Sequence, residues 1–100
     1  MDDMSYVVTA EVWLYPGKAG WHFVTLPSEI VDDVRARSAG SATAFGSVPA
    51  QVTIGATTWL SSLFADTKTA SYLLPLKAPV RRREGVIAGD TVTLTISLTG

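Results

Sequence analysis

Apolar and polar side chains alternate with a period of two along most of this chain. From Tyr6 to Tyr15, Val8, Ala10, Val12 and Leu14 fall on one face and Val7, Thr9, Glu11 and Trp13 on the other, which predicts a strand. Pro16-Gly17 and the following Lys18-Ala19-Gly20 are turn chemistry. The apolar run from Trp21 to Leu26 then resumes an extended chain, so the first two strands are expected to form a hairpin. Pro27 ends that run. Ser28 offers a hydroxyl to cap a helix reaching about Arg37, with Ile30, Val31 and Val34 as its apolar stripe and Asp32 and Asp33 at helical spacing from Arg35 and Arg37.

Ser38 to Ser47 is rich in Ala, Ser and Gly without apolar period and reads as a loop. Val48 to Gly55 and Thr57 to Phe64 are two more extended runs, joined by a tight hairpin at Gly55-Ala56, with Pro49 near an end where a missing amide is tolerated. Asp66 to Thr69 is a polar turn and Ala70 to Leu76 a fifth strand. Pro79 starts a short helix, Gly85 is placed to take a positive φ at its end, and Gly89-Asp90 turns the chain. The sixth strand, Thr91 to Thr99, alternates most cleanly: Val92, Leu94, Ile96 and Leu98 face a core while Thr91, Thr93, Thr95, Ser97 and Thr99 face out.

Six short strands with one or two short helices predict a mainly β protein, a small and mostly antiparallel barrel whose closure removes exposed edges. Composition changes this picture little. The chain has 100 residues, 47% of them apolar, enough for one modest core, so residues 1–100 are expected to be a single domain with residues 1–4 as a flexible N-terminus. There is no cysteine, which excludes disulfides and thiolate zinc and fits a reducing cytoplasm. The start, Met-Asp-Asp-Met-Ser, is acidic where a signal peptide is basic, and no apolar stretch approaches the roughly 18 residues of a spanning helix. Export and membrane insertion are not expected.

Charge is more informative in its placement than in its sum. The formal net charge is −1, yet Lys77, Arg81, Arg82 and Arg83, four of the eight basic residues, fall within seven positions that hold no acid. Asp32 and Asp33 sit together far upstream.

The segment LPLKAPVRRREGVIAGDTVTLTI, running strand, short helix, Gly-Asp turn and strand, resembles the half-barrel unit of AbrB-type transcription factors and MazE antitoxins. HFVTLPSEIVDDVRARS echoes it. Two such units in one chain imply a double-split β-barrel with an internal pseudo-twofold. A second resemblance covers nearly the whole chain: Trp21, Phe23-Val24, Leu26-Pro27, Phe45-Gly46, Val52-Thr53-Ile54-Gly55, Trp59, Ser62-Leu63-Phe64, Tyr72-Leu73-Leu74-Pro75, Lys77, Val80-Arg81 and Gly89-Asp90. In these motifs the chain resembles a small bacterial and archaeal domain-of-unknown-function family, found alone or preceding a YdeI/OmpD-associated, bacteriocin-protection-like segment. That resemblance implies a double-split barrel and no particular activity. With Gly100 following directly on the last strand, it implies no role that depends on the second segment.

No residue set forms a catalytic constellation. His22 is the only histidine, lies in a predicted strand and has no cysteine to complete a metal site. Ser28, Ser61 or Ser62 with His22 and an Asp would need to converge, and no Gly-x-Ser-x-Gly elbow is present. Asp90 reads as a turn carboxylate accepting local amides, and the scattered glycines make no phosphate loop. No cofactor or metal is expected.

What remains is binding. Trp13, Trp21, Trp59 and Tyr72 serve either a core or a groove, and convergence with Lys77 or Arg81 is what would distinguish a site. Trp59, Ser62, Tyr72, Lys77 and Arg81 are therefore the candidate ligand residues of a non-enzymatic module for a small anionic ligand or a protein partner. Successive arginines on a helix diverge by about 100°, so Arg81, Arg82 and Arg83 cannot share one surface, and Arg81 is expected to be the structurally committed one, paired with Asp90 or another carboxylate. Nucleic-acid binding through Lys77, Arg81, Arg82 and Arg83 is the alternative by AbrB-like analogy, disfavoured by the near-neutral charge. An enzyme of unknown reaction ranks last, and the pattern is silent on oligomeric state.

Overall fold

The computed structural model describes residues 5–17, 19–38 and 47–99. The expected flexible N-terminus, most of the Ser38–Ser47 loop, the Phe45-Gly46 motif and Lys18 lie outside them. Six strands and two helices follow in the order β1 (Ser5–Leu14), β2 (His22–Thr25), α1 (Ser28–Arg37), β3 (Ser47–Ile54), β4 (Thr57–Asp66), β5 (Ser71–Pro75), α2 (Ala78–Glu84) and β6 (Thr91–Leu98). The strands close into an antiparallel barrel with the order β1-β2-β5-β4-β3-β6. The mainly β barrel with two short helices is thus the fold that the alternation predicts.

The chain contains the same unit twice, as long strand, short strand, helix and strand. The halves meet at equivalent strands. β2 pairs with β5 through Val24 and Leu74, and β3 pairs with β6 through Val52 and Ile96. At the first junction the Leu26 amide donates to the Tyr72 carbonyl at 2.9 Å and the Leu76 amide to the His22 carbonyl at 2.9 Å, so each half makes the bond the other makes. This is the internal pseudo-twofold of the double-split arrangement.

Inward positions fill the barrel. Val8, Val12, Val24, Val52, Leu63, Leu74, Leu94 and Ile96 are buried, and β6 is buried at Val92, Leu94, Ile96 and Leu98 as its alternation requires. Leu14 departs from the expectation: it continues the inward series of β1 but is half exposed, because the series passes beyond the end of the barrel after Val12. Left-handed residues occur in several turns, among them Gly20, Gly55, Ala70 and Gly85. Gly55 (φ +56) precedes Ala56 in the two-residue β3–β4 hairpin, the sign pattern of a type II′ turn, and Gly85 (φ +66) ends α2. The amides of Gly85 and Val86 both donate to the Arg81 carbonyl, satisfying an end that would otherwise be open.

Helix α1 begins at Ser28 itself, so Ser28 is not the cap. Pro27 holds that place with extended backbone and no side-chain bond, its ring already fixing the φ that precedes a helix. Val31 and Val34 are buried against the barrel, and Asp32 and Asp33 pair with Arg35 and Arg37 as their spacing predicts. Tyr6 of β1 donates to Asp33 at 2.5 Å, tying the helix to the barrel wall. The Tyr6 hydroxyl and the Arg37 guanidinium hold the Asp33 carboxyl below its ordinary value, and burial with the facing carboxylate pushes Tyr6 up to about 12.

The signs set a pH window. The lowered Asp33 value gives stability present above the ordinary carboxylate pKa and lost as pH falls through the lowered one. The raised Tyr6 value gives stability present below the ordinary tyrosine pKa and lost as pH rises toward about 12. Denaturant unfolding of Tyr6→Phe beside the parent is expected to show a gap that is widest near neutrality and narrows at both extremes. A gap independent of pH would remove this link from the account.

Candidate functional site

A concavity of the described surface opens where β2, β5 and β4 run side by side. It is an open cleft of about 690 Å³. The end of β5, at Pro75 and Leu76, forms its floor. Trp21, His22 and Phe23 stand on the β2 side, and Leu60, Ser61, Ser62 and Phe64 on the β4 side. Lys77, Ala78 and Arg81, at the start of α2, close one end.

The β2 wall is rigid because it is aromatic throughout. Phe23 is buried under Trp13, Trp21 and Tyr15, with ring centroids 5.3, 5.9 and 5.9 Å away, and Trp13 Nε1 donates to Thr25 Oγ1 at 2.9 Å. These tilted and edge contacts are the preferred geometry for π systems and hold the ring stack in register with the sheet. Trp21, at 59% exposure, presents its indole to solvent and to the cleft. The β4 wall is apolar and equally uncovered, with Leu60 74% and Phe64 46% exposed. Outward-facing apolar groups on both walls of one concavity call for an explanation, as single exposed side chains do not.

The polar end is cationic. Lys77 is the extended residue that precedes α2, and Arg81 follows four positions later within the helix. Arg81 is half buried and donates from Nε to the Leu76 carbonyl at 3.0 Å, which fixes the plane of the guanidinium and leaves its Nη edge without a bonded partner among the described residues. Neither cation makes an ion pair among the described residues, and no carboxylate lines the cleft. The expected pairing of Arg81 with Asp90 does not form. Asp90 instead accepts the Ile87 amide at 3.0 Å within its own turn, and the Leu76 carbonyl takes the guanidinium.

The pseudo-twofold explains why the cleft is one-sided. In the first half the carbonyl equivalent to that of Leu76 belongs to Leu26, and the buried Ser71 hydroxyl satisfies it at 2.8 Å. The helix position equivalent to Arg81 there is Val31, which is buried. At the related position beside Leu76, the first half supplies a large indole, Trp21, where the second half supplies the small Ser71, and α2 carries a guanidinium where α1 carries a valine. The surface then opens instead of closing.

Of the five candidate ligand residues, the structure brings Ser62, Lys77 and Arg81 together. Trp59 and Tyr72 lie elsewhere. Tyr72 is a buried member of the barrel core, and Trp59 packs against that core with its Nε1 buried and unpartnered among the described residues. Both sit at inward positions of strands whose outward positions form the cleft. Arg82 and Arg83 are exposed on α2 outside the lining, so the three arginines do diverge. Trp21, His22, Phe23, Leu60 and Phe64 complete the lining, and the sequence does not mark them as a group. The signal for them is the second apolar series on β4, Leu60 and Phe64, which has no place in the core.

His22 and the Ser61–Ser62 pair do share the cleft, but with no acid to orient the ring. His22 Nδ1 lies 2.8 Å from the Gly20 carbonyl. That fixes the imidazole through backbone alone, without the carboxylate that a hydrolytic triad uses to stabilise its imidazolium. Among the described residues no three of His, Asp and Glu gather to hold a metal ion, and no helix is long and apolar enough to cross a membrane.

A family model described as a domain of unknown function, DUF1905, matches residues 9–96. No curated protein matches the chain significantly. The matched span runs from β1 to β6 and includes every lining residue of the cleft, and the chain belongs to the DUF1905 family.

Proposed function

We propose that this DUF1905 protein is a non-enzymatic binding module that receives a small anionic ligand in the cleft between β2, β4 and α2. The observation that carries this reading is the pair Lys77 and Arg81, four positions apart and without ion-pair partners among the described residues, at the end of an apolar aromatic trough. A half-buried guanidinium is costly to leave uncompensated, and an anion supplies the missing charge and acceptors at once. Ser62 offers a hydroxyl beside them. Trp59 and Tyr72 serve the core in this reading. The cysteine-free sequence fits a protein working in a reducing cytoplasm.

The test is a two-dimensional amide NMR titration with acetate, benzoate and inorganic phosphate. Shifts are expected to concentrate on Trp21, His22, Ser62, Lys77 and Arg81 and to weaken several-fold in Lys77→Ala, whose exposed side chain makes no bond that the fold needs. Shifts spread evenly over the surface would contradict the proposal. The exposed Arg82 and Arg83 are the footing for the nucleic-acid alternative, so duplex DNA is the control. It is expected to leave the spectrum unchanged, and salt-dependent shifts centred on those two arginines would favour the alternative instead.

A further inference from the structure

The two ends of the cleft differ in kind, and that difference specifies a ligand more narrowly than charge alone. We infer that the cleft takes a planar aromatic carboxylate, its ring against Trp21 and its carboxylate on the Nη edge of Arg81, an assignment that rests on the anion-binding reading above.

Three observations carry it. The first is the form of the apolar part. Trp21 and Phe23 on one side and Leu60 and Phe64 on the other flank a floor made by Pro75 and Leu76. An indole presented from a stack anchored on Phe23 is a flat surface held at low entropic cost, which favours a flat partner over a flexible chain.

The second is the state of Arg81. Because Nε is spent on the Leu76 carbonyl, the remaining donors are the parallel N–H groups of the Nη edge, already fixed in orientation. Such a fork matches the two coplanar oxygens of a carboxylate, and Lys77, the residue that caps the same helix, adds a point charge.

The third is what the cleft does not offer. A phosphate group brings three acceptor oxygens and is ordinarily held by clustered backbone amides. Here the backbone donors at the polar end are broken up: the Leu76 amide goes to the His22 carbonyl, the Arg81 amide to the Lys77 carbonyl, and Pro79 in the first turn of α2 brings no N–H. The walls are sheet, whose amides are engaged in strand pairing. A two-oxygen anion fits this donor set better than a three-oxygen one. Among the described residues no carboxylate lines the cleft to pair with an ammonium group on the same ligand, so an amino acid is a poorer match than a simple aryl acid.

Isothermal titration of the full chain with 2-naphthoate, acetate, 2-naphthamide and 2-naphthyl phosphate tests the assignment. 2-Naphthoate is expected to bind at least about tenfold more tightly than acetate, which lacks the ring, and than 2-naphthamide, which lacks the charge. Trp21→Ala is expected to remove the preference for naphthoate over acetate. Arg81→Lys, which keeps the charge but not the planar fork, should weaken naphthoate about tenfold. Both variants are checked for parent-like amide spectra, and Lys77→Ala provides a cation deletion at an exposed position should Arg81→Lys unfold. Tighter binding of the naphthyl phosphate than of naphthoate would overturn the carboxylate assignment and leave anion binding standing. Equal binding of naphthamide and naphthoate would overturn the role of charge. If none of the three anions binds at about 10 mM, a free energy weaker than about −3 kcal/mol, both this assignment and the anion-binding reading fall together.

Discussion

Leu74→Ala is expected to lower the unfolding free energy by about 3 kcal/mol, measured by urea denaturation, within the range of about 2 to 5 kcal/mol for truncating a fully buried leucine. Leu74 is completely buried, faces the barrel interior and pairs with Val24 at the junction of the two halves, so the cavity opens where both units share their core. For a domain whose total stability is on the order of 5 to 15 kcal/mol, this change places a sizeable fraction of molecules near unfolding at moderate temperature. Leu60→Ala is the control. Leu60 points outward from β4 at 74% exposure, and its truncation is expected to change stability by no more than about 0.5 kcal/mol. Equal effects of the two would mean that the inward and outward faces of the barrel are wrongly assigned.

The second large effect lies at the β3–β4 hairpin, where backbone and side chain act through one another. Gly55 sits at φ +56, and a methyl group added there would lie 2.3 Å from Glu84 Oε1. The Glu84 carboxylate accepts the buried Thr57 hydroxyl at 2.5 Å, so it joins the end of α2 to the hairpin. Gly55→Ala therefore adds left-handed strain of about 1 to 2 kcal/mol and also displaces the carboxylate from its partner, against a gain of about 0.4 to 1 kcal/mol from a stiffer unfolded chain. A net loss of about 2 kcal/mol is expected. The carboxylate is the far end of a flexible side chain, so its share of the loss should depend on its presence: in a Glu84→Ala background, Gly55→Ala should cost only the backbone strain. A double-mutant cycle by chemical denaturation measures this coupling, and strict additivity would show that the hairpin and the helix are not linked through Glu84.

The fold was more legible in the sequence than the site, for reasons visible in particular strands. β6 alternates without exception because one face meets the core and the other meets water, which makes its parity readable. Gly55-Ala56, Gly85 and Gly89-Asp90 mark their turns because each requires a conformation or a local bond that few other residues supply. β4 is different. Thr57, Trp59, Ser61 and Leu63 point inward while Leu60 and Phe64 point outward, so apolar residues occupy both faces and parity gives no decision. The pattern therefore leaves Trp59 open to a core or a groove, and it packs on the core; the aromatic wall that lines the cleft comes from β2, where Phe23 is outward yet buried under its neighbours. Tyr72 likewise shows that an aromatic side chain near two cations in sequence need not share their surface. Lys77 and Arg81, four positions apart in sequence, come to line one cleft together with Ser62, and the titrations above test whether they bind there. The pairing of Arg81 with a carbonyl instead of a carboxylate depends on how the two halves differ at equivalent positions, which no single segment reveals.

The account turns on whether the free edge of Arg81 is the anion site, and the side-chain nitrogen resonances of that residue report on it directly. In a titration of the parent protein with 2-naphthoate, followed by NMR, the Arg81 guanidinium signals and the Trp21 indole signal are expected to move together, with one saturation midpoint, while those of Arg82 and Arg83 stay in place. Movement of the Trp21 indole without Arg81 would show an apolar surface that ignores charge, and the anion-binding account would be wrong.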